Sequence, residues 1–153
     1  AAAQYAFTKS SSFFANYGYI DASFDDKDAD GNAQALAGNT FRLTPKHSFS
    51  FGFNINPKIN KNLDFFFRPT YTYKSKVFFE ETNSPNISQD GYGLLNFRTG
   101  VIVNKVYELS FYMSNVLDKE YIIDAGNTGG AFGIPTFIAG APRFFGAQLK
   151  VKF

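Results

Sequence analysis

RFFGAQLKVKF, residues 143–153, is the stretch from which the fold can be read. Phe145, Ala147, Leu149, Val151 and Phe153 alternate with Gly146, Gln148, Lys150 and Lys152. Successive side chains of a strand leave on opposite faces, so this period of two puts the apolar set on one side and the polar set on the other. The run predicts a strand with one face in an apolar medium and one in water. A strand of a soluble β-sandwich and a strand crossing a bilayer both satisfy it, and the remainder of the chain has to separate them.

Composition begins that separation. Twenty Phe and nine Tyr make the 153-residue chain 19% aromatic. Its mean hydropathy is nevertheless near neutral, and no apolar run approaches the roughly 18 residues that a spanning helix needs. A spanning strand dilutes lipid-facing residues one to one with polar ones, so hydropathy averages away while aromatic content stays high. The chain has no Cys, hence no disulfide framework and no thiol chemistry. Its net charge of +2 is too small to imply nucleic acid as a partner. AAAQYAFT, residues 1–8, lacks the basic start and long apolar core of a signal peptide.

Taken in order, residues 1–8 are a thin strand candidate and residues 12–24 a clear one, with Phe13, Ala15, Tyr17 and Tyr19 on one parity. Residues 25–40 are acidic and aperiodic, so they read as a hydrated loop. There Asp26, Asp28, Asp30 and Gly31 imitate the start of an EF-hand loop, but no Glu stands at the twelfth position and no metal site is expected. Residues 46–56 alternate most cleanly, with Phe49, Phe51, Phe53 and Ile55 against Ser48, Ser50, Gly52 and Asn54. After a turn at 57–62, residues 63–79 carry Leu63, Phe65, Phe67, Tyr71, Tyr73, Val77 and Phe79 on one parity. Pro69 falls within that run and is expected to need a bulge, because it cannot donate to a ladder. Residues 80–91 form a polar loop, 92–104 and 106–121 a hairpin about Lys105, and 122–142 a Gly-rich loop before the final strand.

Seven strands are thus expected and no helix. Their connections run short, long, short, long, short, long, as a barrel with tight turns at one membrane surface and large loops at the other requires. Single-chain bacterial barrels close with an even number of strands, so seven imply either one unrecognised strand or a part of a longer chain. The fold class expected is all-β, an antiparallel transmembrane barrel segment.

Five stretches carry a resemblance to a known family: ANYGYIDASFDD (15–26), GNTFRLTPKHSFSFG (38–52), QDGYGLLNFRTG (89–100), SNVLDKEY (114–121) and GAPRFFGAQLKVKF (140–153). Together, in this order, they resemble the C-terminal end of TonB-dependent outer-membrane receptors. Asn115, Asp118, Lys119 and Tyr121 fit that family's N-L-x-D-K-x-Y pattern, with Val116 and Leu117 between, and Pro142-Arg143 and Gly146 fit its last strand. Phe153 resembles the terminal aromatic that the barrel-assembly machinery reads. The resemblance implies that residues 1–153 are the last third of the wall of a barrel of about 22 strands, with the plug domain and the earlier strands outside this sequence.

The function so implied is TonB-dependent uptake of a ferric siderophore or similar bulky nutrient across the outer membrane of a Gram-negative bacterium. Its partners would be the bilayer and its lipopolysaccharide, the TonB complex acting through the plug, the barrel-assembly machinery and the nutrient. Among the residues themselves, Lys74, Lys76 and Arg68 are weak lumen candidates for attracting an anionic ligand, their plainer role being solvated or paired lumen cations. Phe132 and Phe137 are weak outer-loop candidates beside packing within the vestibule. Tyr17, Tyr19, Tyr71 and Tyr73 suit interfacial aromatic belts. No enzyme is expected, since the lone His47 has no identifiable nucleophile or acid to work with, and no cofactor is implied. The alternative is a small passive outer-membrane barrel, a pore or adhesin, with one strand unrecognised.

Overall fold

The computed structural model describes residues 1–129 and 134–152, with residues 127–129 as backbone only. Every regular element is a strand: β1 (Ala2–Thr8), β2 (Ser11–Tyr19), β3 (His47–Ile55), β4 (Lys58–Asn60), β5 (Leu63–Lys74), β6 (Val77–Phe78), β7 (Ser88–Gln89), β8 (Tyr92–Val103), β9 (Tyr107–Ser114), β10 (Ile122–Gly129), β11 (Ile134–Ala139) and β12 (Phe144–Val151). Seven of them form one antiparallel meander in the order β1-β2-β3-β5-β8-β9-β12, with β4 pairing on β5. The sheet is open, and β6-β7 and β10-β11 are separate two-stranded hairpins. Short connections (9–10, 56–62, 104–106) lie at one end and long ones (20–46, 75–91, 115–143) at the other, as the sequence predicts. In the connection at 104–106, Asn104 and Lys105 both take positive φ (52° and 60°) and Val106 N donates to Val103 O at 3.0 Å. That conformation matches the right-handed twist of the flanking strands.

Four expected boundaries are corrected. The second strand stops at Tyr19 rather than Phe24, because residues 20–46 form loop structure with Phe24 N bonded to Asn39 O. The strand from Leu63 stops at Lys74, since Val77 and Phe78 leave the sheet to pair with Ser88 and Gln89. The strand through Tyr107 ends at Ser114, where Asn115 takes a left-handed φ of 49°. Within the expected Gly-rich loop at 122–142, β10 and β11 pair antiparallel, with Ala125 opposite Phe137 and Gly126 opposite Thr136. Pro69 needs no bulge. Gly52↔Thr70 and Ile55↔Phe67 keep one register across it, and the β3-β5 pairing simply lapses at the intervening steps.

Parity holds from strand to strand. Phe49, Phe51 and Phe53 stand 36–38% exposed on one face, in line with Tyr17, Ala15 and Phe13 of β2. On that face Phe49 stacks on Tyr73 (4.9 Å between centroids), and Phe67, Phe97, Phe111 and Phe145 form a row across four strands at 5.9–6.0 Å. An unbroken aromatic surface of this kind is unusual in water and suits acyl chains. The other face is polar but contains three rings laid over glycines in register: Phe14 on Gly52, Phe66 on Gly100 and Tyr112 on Gly146. Phe66 is thereby buried.

Apolar packing away from the sheet gathers at the long-loop end, where Phe79, Ile87 and Ala125 are buried with Val77 and Ile122 against them. Burying the Phe and Ile side chains contributes about 1.5–3 kcal/mol each, which holds 75–91 to the β10-β11 hairpin. The Asn115-to-Tyr121 motif forms the neck of that hairpin. Buried Asn115 donates through Nδ2 to Lys119 O (2.9 Å) and Ala141 O (3.1 Å), and its Oδ1 accepts from Lys119 N (2.9 Å). Asp118 pairs with Arg143 Nη2 at 3.3 Å and accepts from Arg143 N at 3.2 Å. Tyr121 O accepts from Gly140 N (2.8 Å), and its ring stacks on Tyr92 at 4.6 Å. Both ends of the 115–143 connection are thus closed on each other.

Three outcomes follow for the intact protein in detergent. A Cβ at Gly100 would meet Leu109 O, Phe66 Cζ (2.8 Å) and Ser110 Cα (2.9 Å), so Gly100→Val should cost about 1–3 kcal/mol in a denaturation midpoint. Gly126→Ala, meeting only Glu80 Oε1 at 3.7 Å, should cost under about 0.5 kcal/mol. Asn115→Ala removes three hydrogen bonds and should cost about 2–3 kcal/mol. Limited proteolysis within 115–143 should accelerate while cleavage within 20–46 does not.

Candidate functional site

The polar face of the sheet and the loops above it carry the side chains able to meet a ligand. Arg68 on β5 lies opposite Arg98 on β8, and like charges in register repel. They turn apart. Arg68 lies over the Phe66 ring at 4.9 Å and donates to Asn56 Oδ1 at 3.1 Å. Arg98 Nη2 reaches Gln148 Oε1 (2.7 Å), buried Ser110 Oγ (2.9 Å) and Glu108 Oε1 (3.1 Å), tying β8 to β9 and β12. Higher on this face Asn16 Nδ2 donates to Ser50 Oγ at 3.3 Å.

The long loops are fastened to one another rather than free. The Asn83 amide behaves as a strand partner for Thr40: its Oδ1 accepts from Thr40 N (2.7 Å) and Oγ1 (3.0 Å), and its Nδ2 donates to Thr40 O (2.9 Å). Asn39 Nδ2 donates to Glu81 O and Leu43 N to Phe78 O. Gln89 Oε1 accepts from Ile122 N at 2.8 Å, joining the third loop to the second. Within 20–46, Asp28 Oδ1 accepts from the amides of Asn32 (2.9 Å) and Asp30 (3.0 Å). The hydrogen bond from Asn32 leads in holding that carboxyl below its ordinary pKa. Asp28 thus caps its own loop, and among the described residues no three His, Cys, Asp or Glu side chains gather around a metal position.

At the long-loop end of β2 and β3, Tyr17 Oη lies 2.9 Å from His47 Nδ1, and Tyr19 donates to Asp21, which pairs with Lys46 at 3.1 Å. His47 therefore has an aromatic hydroxyl partner, which the sequence reading did not find. Hydrogen bonds from Lys46, then Tyr19, hold the exposed Asp21 carboxyl below its usual range. Of the residues singled out by sequence, Lys74 and Arg68 share the polar parity of β5 but stand six residues, about 20 Å, apart. Lys76 lies beyond the strand, 3.6 Å from Asp90 and over the Phe78 ring. The structure does not gather the three cations. Phe137 is half exposed on β11, opposite Ala125. Phe132 and Phe153 lie outside the described residues.

What the sequence reading missed is Arg98 and the rim formed by Arg42, Glu80 and Asp124. These three line one cavity of about 320 Å³ together with Phe79, Ala125, Gly126, Thr136 and Ile138. Arg98 was legible from parity, standing between Phe97 and Thr99 of the aromatic face. The rim was not, since its members come from three separate loops.

The arrangement has solved counterparts. The ferric yersiniabactin uptake receptor FyuA from Yersinia pestis superposes with a TM-score of 0.85 over 98% of this chain at 17% identity, this chain covering 22% of it. The ferric citrate transporter FecA gives 0.72 over 94% at 21% identity, with 21% of it covered. The siderophore receptor PiuA from Acinetobacter baumannii gives 0.68 over 95% at 20% identity, with 20% covered. At these identities the likeness is one of fold, and the chain spans about a fifth of each receptor's length. No curated protein sequence matches. Residues 1–116 match the family described as TonB dependent receptor-like, beta-barrel, over most of the strands whose two faces are set out above, and the chain belongs to that family.

Proposed function

We propose that this chain supplies the C-terminal barrel wall and outer loops of a receptor in the outer membrane of a Gram-negative bacterium, where it takes up a ferric siderophore or similar bulky nutrient with energy relayed through TonB. The family match over residues 1–116 carries this reading. The neighbours' descriptions as uptake receptor, transporter and siderophore receptor support the cargo class. In that setting the aromatic face meets lipid and lipopolysaccharide, the polar face lines the lumen and its plug, and the fastened loops form the outer mouth. The barrel-assembly machinery would insert the wall. Lys74, exposed on the lumen parity, is the sequence-derived cation best placed to draw an anionic chelate inward. Lys76 is held by Asp90 and Arg68 by Asn56.

Iron-limited growth and uptake of radiolabelled ferric chelates by cells with and without the intact gene test the reading. Uptake should depend on this gene and stop when the proton gradient is collapsed. Gene-dependent uptake that persists in de-energised cells would favour a passive pore. The facial assignment has its own test. Phe51→Arg on the lipid face should cost about 2–4 kcal/mol of barrel stability and lower its level in the membrane, while Thr72→Arg, on the opposite face of the neighbouring strand, should be accepted. Lys74→Gln should weaken uptake of an anionic ferric chelate about two- to fivefold at low salt and have little effect at high salt, where such steering is screened.

A further inference from the structure

The two ends of the sheet differ in charge. Of the 13 acidic residues, all but Asp64 and Glu108 lie in the three long connections. Cations at that end find acids close by, Lys46 pairing with Asp21, Lys76 with Asp90 and Arg143 with Asp118. Each of the three short connections instead turns on an exposed lysine: Lys9, Lys61 and Lys105. Among the described residues none of these three ammonium groups makes an ion pair or a hydrogen bond. Lys58 and Lys150, at the same end, differ in standing opposite Asp64 and Glu108 on the adjoining strands.

The depth of the three lysines is set by apolar side chains. Exposed Phe7 precedes Lys9 by two residues, exposed Ile59 precedes Lys61 by two, and exposed Val103 and Tyr107 flank Lys105 at the same spacing. Two residues span at most about 7 Å, so each lysine stands at the margin of the surface that meets acyl chains, where headgroups begin. Its stem can lie along apolar surface while its ammonium reaches the polar layer. Tyr107 lies opposite Val103 and Val151 and on the parity of Phe111, and a ring ending in a hydroxyl suits the same depth.

Spacing selects the kind of anion. Successive turns are two strands apart, so their tips are about 10 Å from one another, close to the screening length of about 8 Å at physiological salt. A small soluble anion would meet one lysine at a time and gain little from an exposed partner. A plane of anions fixed at the membrane surface would meet all three at once, which is the setting in which clustered lysines bind lipid well.

We propose that Lys9, Lys61 and Lys105 bind the phosphodiester headgroups of anionic phospholipid, of phosphatidylglycerol type, in the leaflet that the short turns meet. Zwitterionic phosphatidylethanolamine carries its own ammonium beside the phosphate and competes poorly for them. The proposal rests on the membrane placement given above.

The test uses the intact receptor in phosphatidylethanolamine bilayers doped with spin-labelled phosphatidylglycerol or spin-labelled phosphatidylethanolamine of the same acyl chains. The fraction of each label held immobile at the protein surface gives their relative affinity. The anionic label should be preferred at least about threefold at low salt, and the preference should fall towards one at about 1 M salt, where the screening length is only about 3 Å. Changing all three lysines to Gln should abolish the preference, whereas changing all three to Arg should keep it. Equal affinities in the unaltered receptor would overturn the proposal, whatever the variants do. So would a preference that survives the three Gln substitutions or high salt. Retention of the receptor on purified cell-wall sacculi, lost in the Gln variant while lipid preference stays unchanged, would assign the lysines to the cell wall and overturn the lipid reading. If neither label is immobilised, the membrane placement itself fails. If both are immobilised alike, the lipid selectivity fails alone.

Discussion

An antiparallel ladder held in one register from strand to strand is the constraint on which the rest of this structure depends. In hydrocarbon no water is available to an unpaired amide or carbonyl, and each one left open costs several kcal/mol. The pairing accordingly runs without a slip from Ser11↔Ile55 to Tyr19↔His47 and from Leu63↔Val103 to Lys74↔Tyr92. The register shifts in the main sheet fall between Ala6 and Thr8 and between Lys58 and Asn60, both beside short turns where water is at hand. Pro69 removes a donor inside the span, yet the register passes through it. A one-residue slip there would carry Phe49, Phe51 and Phe53 to the polar face.

A fixed register then dictates what each face can do. Three glycines on the polar side accept rings from neighbouring strands, so that side is not a simple water-lined surface. Phe66 lies in the space at Gly100 and supports Arg68, while Ser110, directly opposite Gly100, is buried and lies within hydrogen-bonding distance of Arg98. Opposed arginines thereby become two separate anchors, one towards the short-turn connection at Asn56 and one towards β9 and β12. The wall is stiffened from inside by the same side chains that give it charge.

Much of this was legible in the sequence. The period of two in residues 46–56 and 143–153 fixed which side chains face together, because a strand leaves side chains no other choice. The loop order gave the direction of the chain through the sheet, and the five family motifs gave the family. The strand ends were not legible. Val77 and Phe79 continue the apolar parity of β5, but Val77 pairs with Gln89 and Phe79 packs on Ile87 and Ala125, a contact no local pattern announces. Likewise Asn115 reads as one residue of a strand until its side chain is seen to hold Lys119 and Ala141 in place. The hairpin within 122–142 was hidden by glycines, which lower strand propensity without forbidding pairing. The three cations singled out in sequence shared a stretch of chain and a sign of charge, and neither brings side chains together in space.

The same distinction between local pattern and long-range contact explains how the loops differ. Residues 20–46 and 75–91 are joined by main-chain and Asn83 amide bonds at several points, so their mutual geometry is set before any ligand arrives. The β10-β11 hairpin is joined differently, through a neck closed by Asn115, Asp118 and Tyr121, the bond from Ile122 N to Gln89, and the packing of Ala125. Groups carried on the first two loops are preorganised with respect to each other, which lowers the ordering cost of binding. Groups on the hairpin are positioned chiefly by how Ala125 seats against Phe79 and Ile87. A cavity bounded by both kinds of loop has two walls held by polar bonds and a third held by apolar burial. The position of that third wall therefore depends on the small apolar cluster of Phe79, Ile87 and Ala125.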